Sequence, residues 1–252
     1  VHPLESAEPA ATAGLLEAVP PQRLRIEPAD VPLSGVRTGL ARVRDLLPSP
    51  ASTPFTFGYA LLLLATSLYT EYGDPHTVYA LLQGSSTDVA HLSTAPVLAL
   101  FASALWIAGG IASPYALVFV FVLAALERRI GGWRTAGVFL LGHVVATLAT
   151  EVPVALSVLA GYLPQSSLHR LDYGISFGLM ATVGALAGLL APGLRWCVLG
   201  TVGVLLALDL TEMVEPLAAW GHPVALLAGV ACWPAVRRAG TRPAMSGTGP
   251  GA

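Results

Sequence analysis

Two stretches, Asp172–Gly178 reading DYGISFG and Gly221–Trp233 reading GHPVALLAGVACW, decide how this chain folds. Each leads into an apolar segment and puts one chemically able side chain at its start, Ser176 in the first and His222 in the second. Hydrocarbon offers no water to a lone hydroxyl or imidazole, so a polar group at such a place serves either packing or function. A serine hydroxyl is a weak nucleophile until a base lies within hydrogen-bond reach, and histidine takes and returns a proton near neutral pH. A serine in the first turn of a helix also has free backbone N–H groups beside it that can hold a developing oxyanion, and Gly174 lets the chain come close there. The pair predicts a serine hydrolase assembled between two membrane helices.

Composition sets the class around this pair. Hydrophobic residues make up 54% of the 252 and charged residues 11%, with a mean hydropathy of +0.68. That is more apolar surface than a soluble domain of this size needs. The net charge is −2 and all thirteen basic residues are arginine, so nothing suggests the basic footprint of a nucleic-acid partner. Arginine without lysine, in a chain rich in Ala and Gly, reads as the bias of a GC-rich bacterial genome. Cys197 and Cys232 fall inside apolar segments and read as small packing groups rather than a disulfide.

Six apolar segments, Phe55–Tyr69, Ser113–Leu126, Ala136–Thr150, Ile175–Leu190, Leu194–Leu208 and Val224–Val236, predict six transmembrane helices. Ala95–Ile111 is also apolar but is punctuated by Gly109 and Gly110, and the arginines decide against it as a span. With six spans and both termini cytoplasmic, twelve arginines lie inside and Arg170 alone outside. A seventh span would put the basic N-terminal segment on the wrong side. Residues 1–53 are expected to be a mostly disordered cytoplasmic tail, in which Val36, Leu40, Val43 and Leu47 have the spacing of an amphipathic helix beside Arg37, Arg42 and Arg44. Residues 54–236 form the membrane domain, residues 237–252 a disordered cytoplasmic tail, and the plasma membrane is the expected location.

In this topology Ser176 and His222 both begin helices running from outside to inside, so they lie at comparable depth. Gly174, Gly178, Ala181, Ala185 and Gly188 make a small-residue stripe on the fourth segment, while Ala225 and Gly229 share a face of the sixth with His222. The stripe points nearly opposite to Ser176. A central fourth helix, approached from both sides, satisfies that arrangement.

At these residues the chain resembles the rhomboid intramembrane proteases and their bacterial rhomboid-like relatives, over roughly Thr94 to Trp233. Pro96–Gly110, PVLALFASALWIAGG, resembles the family's half-inserted first outer loop. Leu126–Val144, LERRIGGWRTAGVFLLGHV, carries Glu127, Arg128, Arg129 and Gly131 and is similar to the Glu-Arg junction between its second and third helices. GIS at Gly174–Ser176 is similar to the nucleophile motif, and His222 with Gly229 to the histidine motif of the last helix. The resemblance implies an all-α integral membrane protein built as a six-transmembrane-helix rhomboid-like bundle. It implies a Ser176–His222 dyad with no third carboxylate, no cofactor and no metal, acting on transmembrane protein substrates in the lipid bilayer near their outer ends.

Four positions depart from the family's pattern. Phe177 stands where the family has glycine and can crowd the scissile carbonyl. The second-helix His and Asn beside the family's oxyanion correspond to Ile111 and Tyr115, of which only the Tyr115 hydroxyl can donate. Ala225 replaces a glycine. A weakened oxyanion hole costs about two to three orders of magnitude in rate, which keeps open a second reading, a rhomboid-like protein that binds transmembrane segments without cutting them. A third reading starts from His143 and Glu151, eight residues apart on one side of the third segment, as a proton relay, a metal site or part of a transporter. No HExxH spacing supports a metalloprotease. Glu151, just before Val152 and Pro153, is expected in water at the outer boundary, which leaves His143 as an interhelical hydrogen-bonding residue.

Overall fold

The computed structural model describes residues 47–110 and 112–241; the amphipathic pattern ahead of Leu47 and the tail from Arg242 lie outside them. Among the described residues there are ten α-helices and no strand. They are α1 Pro54–Tyr72, α2 Pro75–Gly84, α3 Val89–Thr94, α4 Pro96–Ser103, α5 Pro114–Ile130, α6 Gly132–Leu159, α7 Ser176–Ala187, α8 Pro192–Glu212, α9 Pro216–Ala231 and α10 Trp233–Gly240, with a 3-10 turn at Gln165–His169. Most open with a proline in the first turn, where the missing N–H costs nothing and the fixed φ suits the helix. Asp74 and Asp88 cap α2 and α3 by accepting the N–H of Thr77 and His91, each at 2.9 Å.

The cap of α1 comes from a distant part of the chain. Glu127, at the far end of α5, accepts the Phe55 N–H at 2.9 Å and the Thr56 N–H at 2.7 Å. Gly131, at φ 84°, turns the chain directly from α5 into α6. A Cβ on Gly132 would come 2.9 Å from Glu127 Oε1 and 3.1 Å from Phe55 Cβ, so glycine is needed to admit the carboxylate. Arg128 adds a bond from Nη2 to the Leu47 carbonyl at 2.8 Å. Glu127 thereby ties the start of α1 to the α5–α6 turn.

Helix α7 is the centre of the bundle. Nine of its twelve residues are buried, and it packs against α5, α6, α8 and α9. Small residues carry the close approaches: Gly229 of α9 and Gly142 of α6 both lie against Ala181, Gly184 lies against the Leu226 carbonyl, and Gly178 lies under the Phe139 ring. A side chain at any of the four would collide. The C-terminal end of α7 is closed by donors. Trp233 Nε1 donates to the Gly184 carbonyl at 2.8 Å, Arg195 Nε to Ala187 O at 3.0 Å, and Arg237 Nε to Gly188 O at 3.0 Å. Both guanidiniums also sit over the Trp233 ring, 5.3 and 4.8 Å from its centre.

These bonds move the expected C-terminal boundary. Arg237 and Arg238 belong to α10 rather than to a disordered tail, because Arg237 is tied to the end of α7 and Val236 is buried. Helices α9 and α10 meet at a 47° bend, where Pro234 interrupts the hydrogen-bond ladder.

The six apolar segments coincide with α1, α5, α6, α7, α8 and the α9–α10 pair. By length and composition α6 and α8 can each cross a membrane, and the bent α9–α10 pair is a third candidate. Helix α7 is apolar but at 12 residues it is only about 18 Å long, against a hydrocarbon layer of about 30 Å. Among the described residues of Ala95–Ile111 there is only the eight-residue α4, about 12 Å, too short to cross. Helix α8 is peripheral, with Leu206 its one buried residue and Leu194, Trp196, Val204, Leu205 and Leu208 exposed.

Two charge-assisted hydrogen bonds to the start of α1 predict that Glu127→Ala loses about 3 kcal/mol of stability, and Glu127→Gln, which keeps one acceptor, about half as much. Thermal or denaturant unfolding of the purified protein in detergent measures this. An unchanged midpoint in Glu127→Ala would mean that α1 is held by packing alone.

Candidate active site

Helix α7 begins at Ser176 itself, and no side chain caps it. The first N–H to be bonded is that of Leu179, to Ile175 O at 2.9 Å. Among the described residues the N–H groups of Ser176, Phe177 and Gly178 have no partner, as expected for an open helix start. Gly174 enters this turn at φ 134° and donates its N–H to Ser103 O at 3.0 Å. A Cβ there would meet nothing nearer than 3.9 Å, so the left-handed backbone, rather than close approach, is what calls for glycine.

A cavity of about 360 Å³ lies in front of this helix start, and Ser176, His222, Tyr115, Asp209, His143 and Asp172 are among its lining residues. His222 reaches it from the buried face of α9, the face that also carries Ala225 and Gly229. Its ring stacks on Tyr115 with centroids 6.0 Å apart and meets Phe177 edge-on at 5.5 Å. The residue is 5% exposed, and neither ring nitrogen has a hydrogen-bond partner. The nearest carboxylate is Asp209, whose Oδ2 lies 3.6 Å from His222 Nδ1. Ser176 and His222 therefore share one cavity, and no hydrogen bond joins them.

The other expected residues fall around this pair. Tyr115 presents its ring to His222, and its hydroxyl makes no hydrogen bond among the described residues. Ile111 lies outside the described residues. Gly178 and Gly229 sit at the helix contacts given above, and Ala225 is buried in a small cluster with Ala146 and Phe177. Phe177 lines the cavity, but its ring also packs against Gly221, where a Cβ would collide with it. The ring thus spaces α7 from α9 and braces His222.

The rival constellation separates into two contacts. His143 Nε2 lies 3.0 Å from Ser103 Oγ and 3.1 Å from Leu100 O, tying α4 to α6. Glu151 is not in water: it is 2% exposed and faces Arg170, whose Nη2 is 3.2 Å from Oε1. The segment after α6 folds back over that helix, and a buried carboxylate is tolerable there because a guanidinium comes with it. Among the described residues no three potential ligands gather as a metal site.

The loop between Arg170 and Gly174 is fastened by Ser86 and Thr87. Ser86 Oγ donates to Arg170 O at 2.9 Å and accepts the Asp172 N–H at 3.0 Å, while Thr87 donates its N–H to Asp172 O at 2.8 Å and its hydroxyl to Asp172 Oδ2 at 2.9 Å. Burial pushes the Asp172 carboxyl above its usual range, with the Thr87 hydroxyl pulling the other way. The sequence alone does not mark Ser103, Ser86 or Thr87 as functional. Their only signal there is position, a hydroxyl at the end of a short apolar helix or beside an acidic cap.

An all-helical bundle with two or three helices apolar enough to cross a bilayer, and a polar cavity at the start of its central helix, defines a multi-pass membrane protein. A family profile described as rhomboid-like protein matches residues 51–242, and the chain belongs to that family. Searches of curated proteins and of solved structures return no match.

Phe177→Ala removes a buried ring from the α7–α9 contact and is expected to cost about 3 kcal/mol. Unfolding in detergent checks it. A variant as stable as wild type would show that the ring is dispensable as a spacer.

Proposed function

We propose that this rhomboid-like protein is an intramembrane serine endopeptidase with Ser176 as nucleophile and His222 as general base. The observation that carries the reading is that these two side chains, from separate helices, line one cavity at an uncapped helix start. In the reaction Ser176 Oγ attacks the scissile carbonyl as its proton passes to His222. The Ser176, Phe177 and Gly178 N–H groups are the candidate donors to the oxyanion. Collapse of the tetrahedral intermediate breaks the C–N bond, the amine leaves with the proton from His222, and water then releases the acyl chain. Gly174 shapes the entry, and Tyr115 supports the base through its ring. Gly178, Ala225 and Gly229 seat the helices, and no cofactor or metal enters the scheme.

In the six-span arrangement α7, too short to cross alone, starts below the membrane surface beside the cavity. The twelve-to-one arginine distribution supports cytoplasmic termini, and the plasma membrane is the proposed location. A second reading, binding of transmembrane segments without cleavage, is favoured by the absence of a Ser176–His222 hydrogen bond and by the Phe177 ring beside the base. His143 and Glu151 give little support to transport or metal chemistry, since each is engaged elsewhere.

Purified protein in lipid is expected to react with a fluorophosphonate at Ser176. Ser176→Ala and His222→Ala should each reduce cleavage of a model transmembrane substrate by about 10³-fold or more while leaving the fold intact. Wild-type protein that neither takes the probe nor cuts helix-destabilised substrates, yet still binds them, would establish the non-cutting alternative. Topology has its own test. In a chain freed of Cys197 and Cys232, Thr77→Cys and Ser246→Cys are expected to label from opposite faces of sealed vesicles, and labelling from one face would overturn the six-span arrangement.

A further inference from the structure

We infer that Asp209 is a positioning residue for His222, its carboxylate engaging Nδ1 so that Nε2 is left bare and turned toward Ser176. The catalytic consequence rests on the serine-endopeptidase reading, but the contact itself does not. It also departs from the dyad without a carboxylate that the family resemblance implies.

The geometry selects both the partner and the nitrogen. Among the described residues Asp209 supplies the one carboxylate within 4.0 Å of the ring, at 3.6 Å from Nδ1. Both His222 nitrogens are buried without a hydrogen bond, a costly state for a polar ring. Tyr115 from α5 and Phe177 from α7 hold the plane of the imidazole but offer it no acceptor through their rings. The carboxylate is therefore what decides which edge of the ring faces which way. A closure of about half an ångström makes a normal hydrogen bond, and catalytic contacts commonly tighten when substrate arrives.

Asp209 stands in the last turn of α8. Its carbonyl accepts the N–H of Met213, which ends α8 in the left-handed conformation at φ 47°. The Asp209 side chain is 37% exposed and lines the cavity, so it reaches His222 from the outer end of the helix. The other titratable or charged groups on the cavity are His143 from α6, Tyr115 from α5, Asp172 and Tyr173 from the loop before α7, and Glu215 at the start of α9. None of these is a carboxylate in contact with the ring. With Nδ1–H given to Asp209, Nε2 can take the proton of Ser176 Oγ, and the ionised carboxylate then stabilises the imidazolium without itself being protonated.

The experiment uses the full chain in lipid nanodiscs with ¹⁵N-labelled histidine, the His222 signals being assigned by their loss in His222→Gln. Above the pH at which the ring is neutral, wild type is expected in the Nδ1–H tautomer, and Asp209→Asn should shift it toward Nε2–H. The fluorophosphonate reaction of Ser176 should slow about tenfold or more in Asp209→Asn, with its acid limb moved to lower pH because the imidazolium has lost a stabilising charge. Asp209→Glu should recover a large part of the rate. A wild-type ring in the Nε2–H tautomer overturns the inference, as does an Asp209→Asn protein with wild-type rate and pH profile. If wild type fails to react with the probe, the endopeptidase reading has failed and the tautomer alone decides the Asp209 contact.

Discussion

Everything in this bundle depends on closing the two ends of a helix too short for the membrane around it. Helix α7 is twelve residues long and buried on all sides, so its end groups sit where water cannot be assumed. Unpaired backbone groups at that depth are costly. The chain solves the two ends differently. At the C-terminal end Trp233, Arg195 and Arg237 deliver N–H donors to the last carbonyls, which also answers the negative end of the helix dipole. At the N-terminal end nothing is delivered among the described residues, and the helix starts on a cavity. One end is sealed by arginine, and the other is left available to an incoming oxygen.

Close packing around α7 then sets where His222 can be. Gly229 and Gly184 allow α9 and α7 to touch backbone to backbone, which fixes the register between Ser176 and His222 more tightly than side-chain interdigitation would. Phe177 and Gly221 form the matching pair about two turns nearer the cavity. The departure from glycine at 177 is thus compensated across the interface by a glycine at 221. What reads along one helix as an obstruction is, between two helices, a spacer with its socket.

Much of this was legible in the sequence because it follows local rules. Apolar runs located the helices, and the small-residue stripe with Ser176 opposite it called for a central α7. The relation of Ser176 to His222 came from motif order. What was not legible needed the packing of distant elements. Glu127 was read as part of a junction, but its partners lie over seventy residues earlier at Phe55 and Thr56, and capping signals are sought within a few residues of the helix they serve. Glu151 was placed in water because nothing local shows that Arg170 folds back onto it. The reading of Ile175–Leu190 as one segment overran the helix, since the stop comes from Trp233 and the arginines.

Asp209 shows the same limit most sharply, and it is where the fold bears on chemistry. Its position near the end of α8 reads as an outer-loop acid among several, and only the register of α8 against α9 brings it to His222. Asp209 also lines a second, largely apolar cleft of about 340 Å³ that runs between α5 and α8 past Val118, Val202 and Leu206. Tyr115 lines both spaces too. The two groups that touch the His222 ring from outside α7 therefore sit on the boundary between an apolar cleft and a polar cavity. On the proposed function, a transmembrane segment lying in that cleft would meet the supports of the base before it reached the nucleophile. Helix α8 buries only Leu206, so the carboxylate that orients His222 is carried by a peripheral helix. Alignment of the base is then tied to how α8 is seated rather than to the rigid α7–α9 contact alone.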